Sequence, residues 1–265
     1  MFLKSILMNE IISTLILAVI QAIAEWLPIY SSGHLVVFER ILNYQKSIMF
    51  DVALHFGSLV AVFVYFGRDI TNILEDFLKF DFKSENGKLG LFILVGSIPA
   101  GIAGVLFEKL FEEAFNSLFL VALGFAITGI FLLIASLDVG KKKEELSFYD
   151  SFLIGISQAV AIFPGISRSG ATISSGILLG LSPRAATKFS FLMAIPAIFG
   201  ASLITIGNNP LPRELILATF VSFLVSLAVM HFLFKLLLGS RKNLRWFALY
   251  VLLLALAVGL YSVLS

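Results

Sequence analysis

The sequence predicts an all-α integral membrane protein, an inverted-topology repeat with six transmembrane helices and two re-entrant helical hairpins that meet near the bilayer midplane. Three observations carry this prediction: an apolar composition, a set of long apolar segments, and a polar break that recurs in each half of the chain. The 265 residues are 59% hydrophobic and only 14% charged, with a mean hydropathy of +1.00. Soluble domains are about half apolar and a quarter charged, so this composition excludes an ordinary soluble protein.

Six apolar segments have the composition of ordinary membrane-spanning helices. A helix needs about 20 apolar residues to cross the hydrocarbon, and most of the segments approach this length. They cover residues 49–66, 89–107, 116–137, 187–207, 214–234 and 246–264. The chain lacks the weak alternation typical of outer-membrane barrels. It also contains no cysteine, which excludes disulfides, thiol nucleophiles and cysteine metal sites.

The two halves of the chain, residues 1–137 and 138–265, carry related polar breaks. A shift of 137 positions aligns QAIAEWLPIYSSG, residues 21–33, with QAVAIFPGISRSG, residues 158–170. Broken helices at matching places in two halves indicate a binding site near the midplane. Non-helical backbone at that depth survives only where protein or a cavity surrounds it. We therefore expect a single membrane domain over residues 1–265.

The placement of Lys and Arg predicts that the breaks are re-entrant. If each break returns to the face it entered, thirteen of the 19 cations lie on one face and five on the other, with Arg168 inside the second break. Two full crossings would divide them nine against nine, without the bias that orients membrane proteins. The larger group, predicted to be cytoplasmic, comprises Arg68, Lys79, Lys83, Lys88, Lys141, Lys142, Lys143, Arg184, Lys188, Lys235, Arg241, Lys242 and Arg245; the smaller comprises Lys4, Arg40, Lys46, Lys109 and Arg213. For the first break only Lys4 changes sides, so that prediction rests on the repeat.

Ionisable residues inside the breaks are candidates for a functional site. Glu25 follows Gln21 by four residues, so the two share one face of a helix. A carboxylate at the centre of a membrane helix costs about 2.5 to 3.5 kcal/mol and calls for a partner, and Arg168 in the other break is the predicted partner. His34, directly after the Ser-Ser-Gly of the first break, is a candidate acid, base, nucleophile or ligand.

The second break has the composition of an anion-binding loop. Residues 164–172, PGISRSGAT, combine two glycines, three hydroxyl side chains and Arg168 immediately before a helix. Free N–H groups and the positive end of the helix dipole point into such a loop, and arginine makes bidentate hydrogen bonds to phosphate oxygens. An acidic residue able to hold a divalent cation completes a set suited to phosphoryl transfer. A lipid phosphate or diphosphate is the expected substrate, because its tail stays in hydrocarbon while its head group reaches the buried site.

Asp51 and His55 form a second polar pair with two open interpretations. Their spacing places them on one helix face near a membrane boundary. They either reach the site or form an interfacial pair solvated by water.

The two motifs closely resemble the signatures of the undecaprenyl-diphosphate phosphatase family, the bacitracin-resistance proteins. The first motif is QxxxExxPxxSSGH, residues 21–34, and the second is the loop 164–172. The resemblance covers essentially the whole chain. It implies a membrane hydrolase that converts a C55-type polyprenyl diphosphate to the monophosphate and inorganic phosphate, recycling the carrier lipid for cell-wall glycan synthesis. It also implies a Mg or Ca ion, a plasma-membrane location, and an active site that opens to the outer face.

Carried onto this sequence, the resemblance assigns roles to individual residues. Glu25, and Gln21 with it, would hold the metal or polarise a water, while Arg168 would bind the diphosphate. Ser31 and His34 stay open as nucleophile or general acid/base. The substrate-binding loop would comprise Gly165, Ser167, Ser169, Gly170 and Thr172.

Two departures from the family pattern and two rival functions complete the prediction. Gln21 stands where a glutamate is frequent, which lowers the negative charge available to a metal, and Tyr30 stands where a serine is usual. An acid-phosphatase-like lipid phosphatase is disfavoured, because the histidine expected six residues after Arg168 is Ser174. A polyprenyl-phosphate transporter or flippase is the alternative, since broken helices in inverted repeats also suit alternating access. Expected partners are the membrane and the polyprenyl diphosphate, with no nucleic acid and with a homodimer as a candidate.

Overall fold

The computed structural model describes residues 2–44, 47–137, 143–206, 212 and 215–264, and their side chains except those of residues 2–9, 48, 112 and 204–206. The α-helices of this described part are α1 (Phe2–Trp26), α2 (Ser31–Leu42), α3 (Ile48–Tyr65), α4 (Gly67–Leu78), α5 (Glu85–Leu106), α6 (Glu108–Phe115), α7 (Leu118–Ser136), α8 (Phe148–Val160), α9 (Arg168–Leu178), α10 (Pro183–Ile206), α11 (Ile216–Gly239) and α12 (Leu244–Leu264). The prediction of an all-α chain is confirmed.

Five helices of the described part are long and apolar enough to cross a membrane: α5, α7, α10, α11 and α12. They coincide with five of the six predicted spans, although residues 207 and 214, at the ends of two of those segments, lie outside the described residues. The remaining segment, 49–66, coincides with α3, which joins α4 at a bend of 78° and gives a sixth span if the pair is counted together. The chain is therefore a multi-pass helical membrane protein.

The first predicted break separates α1 from α2. Helix α1 ends at Trp26, and Tyr30 then takes a positive φ of 70° before α2 begins at Ser31. Helix α2 packs back against α1. The Thr14 hydroxyl donates to the hydroxyl of Tyr44, just beyond α2, at 3.2 Å. The chain therefore returns along α1 after the break.

The second predicted break separates α8 from α9, which also pack against each other. Lys143, ahead of α8, donates its N–H to the Gly180 carbonyl and accepts from the N–H of Ser182, both at 2.8 Å. Since Gly180 and Ser182 follow α9, the segment that enters this pair and the segment that leaves it lie side by side.

Helix α7 holds the second break through close backbone contact. Gly165 has a φ of +86° and lies so near α7 that a side chain there would clash with the Val121 carbonyl. A side chain on Gly124 would likewise meet the carbonyl of Pro164. The Thr128 hydroxyl donates to the Gly165 carbonyl at 3.1 Å. Glycine on both sides therefore permits an approach that larger residues exclude.

Charged side chains gather at one end of the helix bundle. A cavity of about 500 Å³ is lined by Lys88, Lys188 and Glu144 among others. Glu144 also lines a neighbouring cavity of about 440 Å³. The cations lining this second cavity are Arg184, Arg241 and Lys242. These five cations all belong to the predicted thirteen-charge face.

Several cations of the two predicted faces lie outside the described part. They are Lys46, Lys141, Lys142, Arg213 and the side chain of Lys4. The predicted boundary between the halves also falls at the edge of a gap, because residue 137 is described and residue 138 is not.

Asp150 fixes the start of α8, outside the five spanning helices. Its Oδ2 accepts from Lys143 Nζ at 2.7 Å and from the N–H of Ser147 at 2.9 Å, and Ser147 in turn caps the helix. Burial alone would raise the pKa of the Asp150 carboxyl, but the hydrogen bonds from Lys143 and Ser147 outweigh burial and hold this pKa below its usual value.

We expect Asp150→Asn to lower the thermal stability of the detergent-purified protein at neutral pH by about 1 kcal/mol, the usual contribution of a helix cap. A carboxyl whose pKa is lower in the folded than in the unfolded state stabilises the folded protein at pH values above its unfolded pKa, about 3.9 for Asp. This stabilisation is lost as the pH falls through the folded pKa. The melting-temperature difference should therefore shrink below about pH 4. Glu145→Gln, an exposed carboxylate of the same loop, is the control. A difference that stays constant with pH would contradict this role of Asp150.

Candidate active site

The two breaks meet, and their charged residues form an ion pair at the contact. Nη2 of Arg168 donates to Oε1 of Glu25 at 2.7 Å. The two side chains are only 17% and 9% exposed, so the pair is largely removed from solvent. The structure thus brings together the two residues that the sequence analysis paired across 143 positions of the chain.

Backbone contacts hold the breaks in register beside this ion pair. The Ser169 hydroxyl donates to the Leu27 carbonyl at 3.0 Å. An added Cβ on Gly170 would lie 3.3 Å from the Cβ of Pro28. A side chain at residue 170 would therefore loosen the contact between the breaks.

The start of α9 presents two free donors. Ser167 caps the helix by accepting from the N–H of Gly170 at 3.1 Å, and its own N–H donates to Thr128 at 3.1 Å. The N–H groups of Arg168 and Ser169 donate no hydrogen bond within the described part of the chain. Together with the Arg168 guanidinium, these two donors form the kind of helix start that binds anions.

The second carboxylate oxygen of Glu25 has its own set of neighbours. Oε2 accepts from the Ser31 hydroxyl at 3.0 Å and from Nε2 of Gln21 at 3.2 Å. Nε2 of His55 lies 3.6 Å away. Four predicted residues, Glu25, Gln21, Ser31 and Arg168, therefore form one cluster, and His55 joins them.

His55 is the residue whose position the sequence left open. Its Nδ1 lies 2.8 Å from the Asp51 carbonyl, which can only accept, so Nδ1 carries a proton. Its Nε2 lies 2.9 Å from the Gln21 amide nitrogen. In this orientation the amide nitrogen donates to Glu25 Oε2 at 3.2 Å, whereas the reversed amide would place two oxygens at that distance. The i,i+4 spacing of Asp51 and His55 predicted that they share a helix face, but it did not identify what that face contacts.

Ser190 and Trp26, which contact the Arg168 side chain, carry no sequence signal, whereas Thr172 belongs to the predicted loop. Nη1 donates to the Ser190 carbonyl in α10 at 3.3 Å. The guanidinium lies 5.4 Å from the ring centroid of the buried Trp26. Thr172 donates to the Arg168 carbonyl at 2.9 Å and lies 2.6 Å from the Ser190 hydroxyl. Thr172 therefore positions the start of α9 against α10.

His34 and Gly165 lie apart from this cluster. Nδ1 of His34 is 2.8 Å from the Tyr30 carbonyl. Its Nε2 is 2.6 Å from the Tyr250 hydroxyl in α12, and the two rings stack with centroids 5.7 Å apart. Gly165 is occupied with α7. The predicted site residue His34 therefore faces α12 and not Glu25.

The side-chain atoms around Glu25 that could ligate a metal suit a hard cation only in part. No group of three or more His, Asp or Glu suited to a metal is found among the described residues. Oε1 of Gln21 is buried and has no hydrogen-bond partner within the described part, and it lies on the same side chain that contacts Glu25. Mg²⁺ is commonly bound through one or two carboxylates together with substrate phosphates. The oxygens of Glu25 and Gln21 therefore fit a cation shared with a bound phosphate, not a cage made by protein alone.

The two large cavities at the charged end of the bundle do not include this cluster. The space between Glu25 and Arg168 is filled by their own side chains. A ligand phosphate that reaches Arg168 must therefore compete with the Glu25 carboxylate.

Comparison with known proteins identifies relatives over nearly the whole chain. Residues 14–257 match the family described as Bacitracin resistance protein BacA. A Caldicellulosiruptor bescii protein named undecaprenyl-diphosphatase is 40% identical over 252 residues, 91% of this chain and 94% of that protein. Proteins with the same name from Moorella thermoacetica and Korarchaeum cryptofilum are 40% and 36% identical, covering 84% and 94% of this chain and 85% and 98% of their own lengths.

We expect removal of one member of the buried ion pair to destabilise the protein more than removal of both. Arg168→Met leaves the Glu25 carboxylate without its cation, at a cost of about 3 to 5 kcal/mol. The double variant Glu25→Gln/Arg168→Met should recover much of this loss. Thermal unfolding in detergent, followed by tryptophan fluorescence, measures the difference.

The matched control is the Glu75–Lys79 pair, whose side chains are more than half exposed. Lys79→Met should change stability little. Additive effects of the two substitutions at Glu25 and Arg168 would contradict an energetically coupled pair.

Proposed function

Because this chain belongs to the BacA family of bacitracin-resistance proteins, we propose that it is an undecaprenyl-diphosphate phosphatase. It hydrolyses the lipid diphosphate to the monophosphate and inorganic phosphate and so recycles the carrier lipid for cell-wall glycan synthesis. The observation that carries the proposal is the buried ion pair of Glu25 and Arg168, placed beside the Ser31 hydroxyl and the two free donors at the start of α9.

The order of helices supports an inverted repeat within one domain. In each half a broken pair, α1–α2 or α8–α9, is followed by three long helices, and the first half adds the short helices α4 and α6. Helix α3 packs against its counterpart α10, and α7 against its counterpart α12. Helix α11 packs against α1 as α5 packs against α8. Such reciprocal contacts are those expected when a two-fold axis relates two copies.

The contact of Lys143 with residues 180 and 182 supports a re-entrant hairpin for the second break. The ion pair of Lys188 with Asp69 at 2.6 Å also favours this topology, because a full crossing would place these residues on opposite faces. With the charged end cytoplasmic, the tips of both hairpins lie within the plasma membrane, and the site opens to the outer face. The predicted homodimer stays a prediction.

The loop of the second break binds the terminal phosphate in this proposal. The Arg168 guanidinium and the N–H groups of Arg168 and Ser169 donate to its oxygens. Ser167 shapes the helix start and Gly170 lets Pro28 approach. Thr172 and Gly165 position this loop against α10 and α7.

Ser31 is the nucleophile that the geometry favours. Its hydroxyl already donates to Glu25, so nucleophile and base lie within hydrogen-bond reach. Ser31 Oγ attacks the terminal phosphorus as Glu25 takes its proton, and the prenyl monophosphate leaves. Water then hydrolyses the phosphoserine and releases inorganic phosphate. His34, which bonds to Tyr30 and Tyr250, is assigned a supporting role.

The divalent cation, Mg or Ca, would be held by Glu25 and by Oε1 of Gln21 together with the substrate. When bound, such an ion neutralises charge on the diphosphate oxygens. His55 orients the Gln21 amide, because it accepts from the amide nitrogen and leaves the oxygen free for the ion.

Purified wild-type protein should release inorganic phosphate from a long-chain polyprenyl diphosphate with Mg or Ca, and a chelator should abolish the release. Glu25→Gln and Arg168→Met should lower turnover by at least about 100-fold, the usual loss for one preorganised electrostatic contact. Glu75→Gln and Lys79→Met make the same charge changes at an exposed pair and should keep normal turnover. Folded wild-type protein that binds the lipid without releasing phosphate would instead favour a carrier.

Ser31→Ala should reduce phosphate release to background, whereas Ser32→Ala, the neighbouring hydroxyl, should retain most of it. His34→Gln should reduce turnover less than Ser31→Ala, because His34 makes no hydrogen bond to Glu25 or Arg168 within the described residues. Rapid quenching with ³²P-labelled substrate should trap label on serine in the wild type. Full turnover by Ser31→Ala would assign the attack to water or His34.

A further inference from the structure

Helix α4 and the turn after it form a surface segment whose apolar side chains are only partly covered. The chain bends by 78° between α3 and α4, so α4 leaves the direction of the spanning helices. Phe80, in the turn, has a φ of 54°. We call residues 67–82 the α4 segment.

One side of α4 packs on a membrane-spanning helix. Ile73 and Phe77 lie directly over Gly90 of α5, where an added Cβ would clash with the Phe77 ring and lie 2.7 Å from Ile73. Gly90 is five residues after Glu85, the first residue of α5, or about 7.5 Å along the helix axis. Interfacial helices bury their apolar face about 5 to 10 Å into the boundary between head groups and acyl chains. The contact therefore places α4 against the first turns of α5, a distance from the helix start similar to that insertion depth.

A second strip of apolar side chains on the α4 segment is largely exposed. Leu74 is 56% exposed, Leu78 is 81% exposed and Phe80 is 80% exposed. The polar residues Asn72 and Glu75 are also exposed. Asn72 lies opposite Leu74 on the helix, and Glu75, three residues before Leu78, lies at the border of the strip. The segment is thus apolar toward α5 and along one open edge, and polar on the remaining face.

The turn that carries Phe80 is ordered by specific hydrogen bonds. Oδ1 of Asp81 accepts from the N–H groups of Lys83 and Ser84, both at 3.2 Å, and Ser84 donates to Asp76 at 2.6 Å. The left-handed conformation is unfavourable for phenylalanine. A strained residue held in place by its neighbours points to a functional constraint, and here that residue is a largely exposed phenylalanine.

We propose that the α4 segment is a membrane-interface anchor, with Leu74, Leu78 and Phe80 inserted into the boundary between lipid head groups and acyl chains. The occupant is a lipid surface, because α4 is continuous with α3 and packs near the end of the spanning helix α5. Residues 67–84 carry three cations and four acids. Insertion therefore depends on apolar burial and not on anionic lipid.

The absence of cysteine from the chain allows a direct test by spin labelling. Single variants Leu78→Cys and Phe80→Cys are labelled and reconstituted in phosphatidylcholine vesicles, with and without phosphatidylglycerol. Asn72→Cys, on the polar face, is the matched control, and Glu75→Cys reports on the border of the strip. Collision with oxygen should dominate at residues 78 and 80, and collision with a water-soluble nickel complex at residue 72, with residue 75 in between. Phosphatidylglycerol should leave this pattern unchanged.

Nickel access as high at residues 78 and 80 as at residue 72 would overturn the anchor. Dipolar broadening between labels at residue 80 would also overturn it, since it would identify a second copy as the occupant. Replacing Phe80 with asparagine in the Leu78→Cys protein should raise nickel access at residue 78 without lowering the melting temperature in detergent, because asparagine tolerates positive φ. A lower melting temperature with unchanged access would assign Phe80 a purely structural role. All these readouts are independent of phosphate release.

Discussion

The burial of one carboxylate and one guanidinium inside an apolar bundle is the constraint on which the rest of the structure depends. Neither group is stable in such surroundings alone, so Glu25 and Arg168 require the two breaks to meet. Three further contacts hold the breaks together: Ser169 bonds to Leu27, α7 packs tightly against Gly165, and the Ser190 carbonyl accepts from Arg168. The helix packing that joins the two breaks is therefore also the packing that assembles the candidate site.

The two breaks carry different chemistry at matching positions of the chain. In the alignment by 137 positions, Ser31 corresponds to Arg168, and each is the first residue of its helix, α2 or α9. Both donate to Glu25, whose own counterpart is Ile162. The same structural position thus supplies the candidate nucleophile in one half and the anion-binding cation in the other.

Much of this architecture is readable from the sequence, because the physical costs inside a membrane are large. Apolar length revealed the spans, and the expense of an unpaired charge led from Glu25 to Arg168. The remaining neighbours could not be read in this way. Ser190 contributes a carbonyl that every residue possesses, and Trp26 resembles any core aromatic. The orientation of His34 toward Tyr250 depends on how α12 packs, which no local spacing records.

The distance along the chain between the partners has a consequence for biosynthesis. The ribosome adds about 5 to 20 residues each second, so the 143 positions between Glu25 and Arg168 correspond to a delay of roughly 7 to 30 s. During that interval the carboxylate is already made but its cation is not. Gln21 and Ser31, four and six residues away, are available at once and donate to it. These local donors can shelter the nascent charge until the second half of the protein arrives.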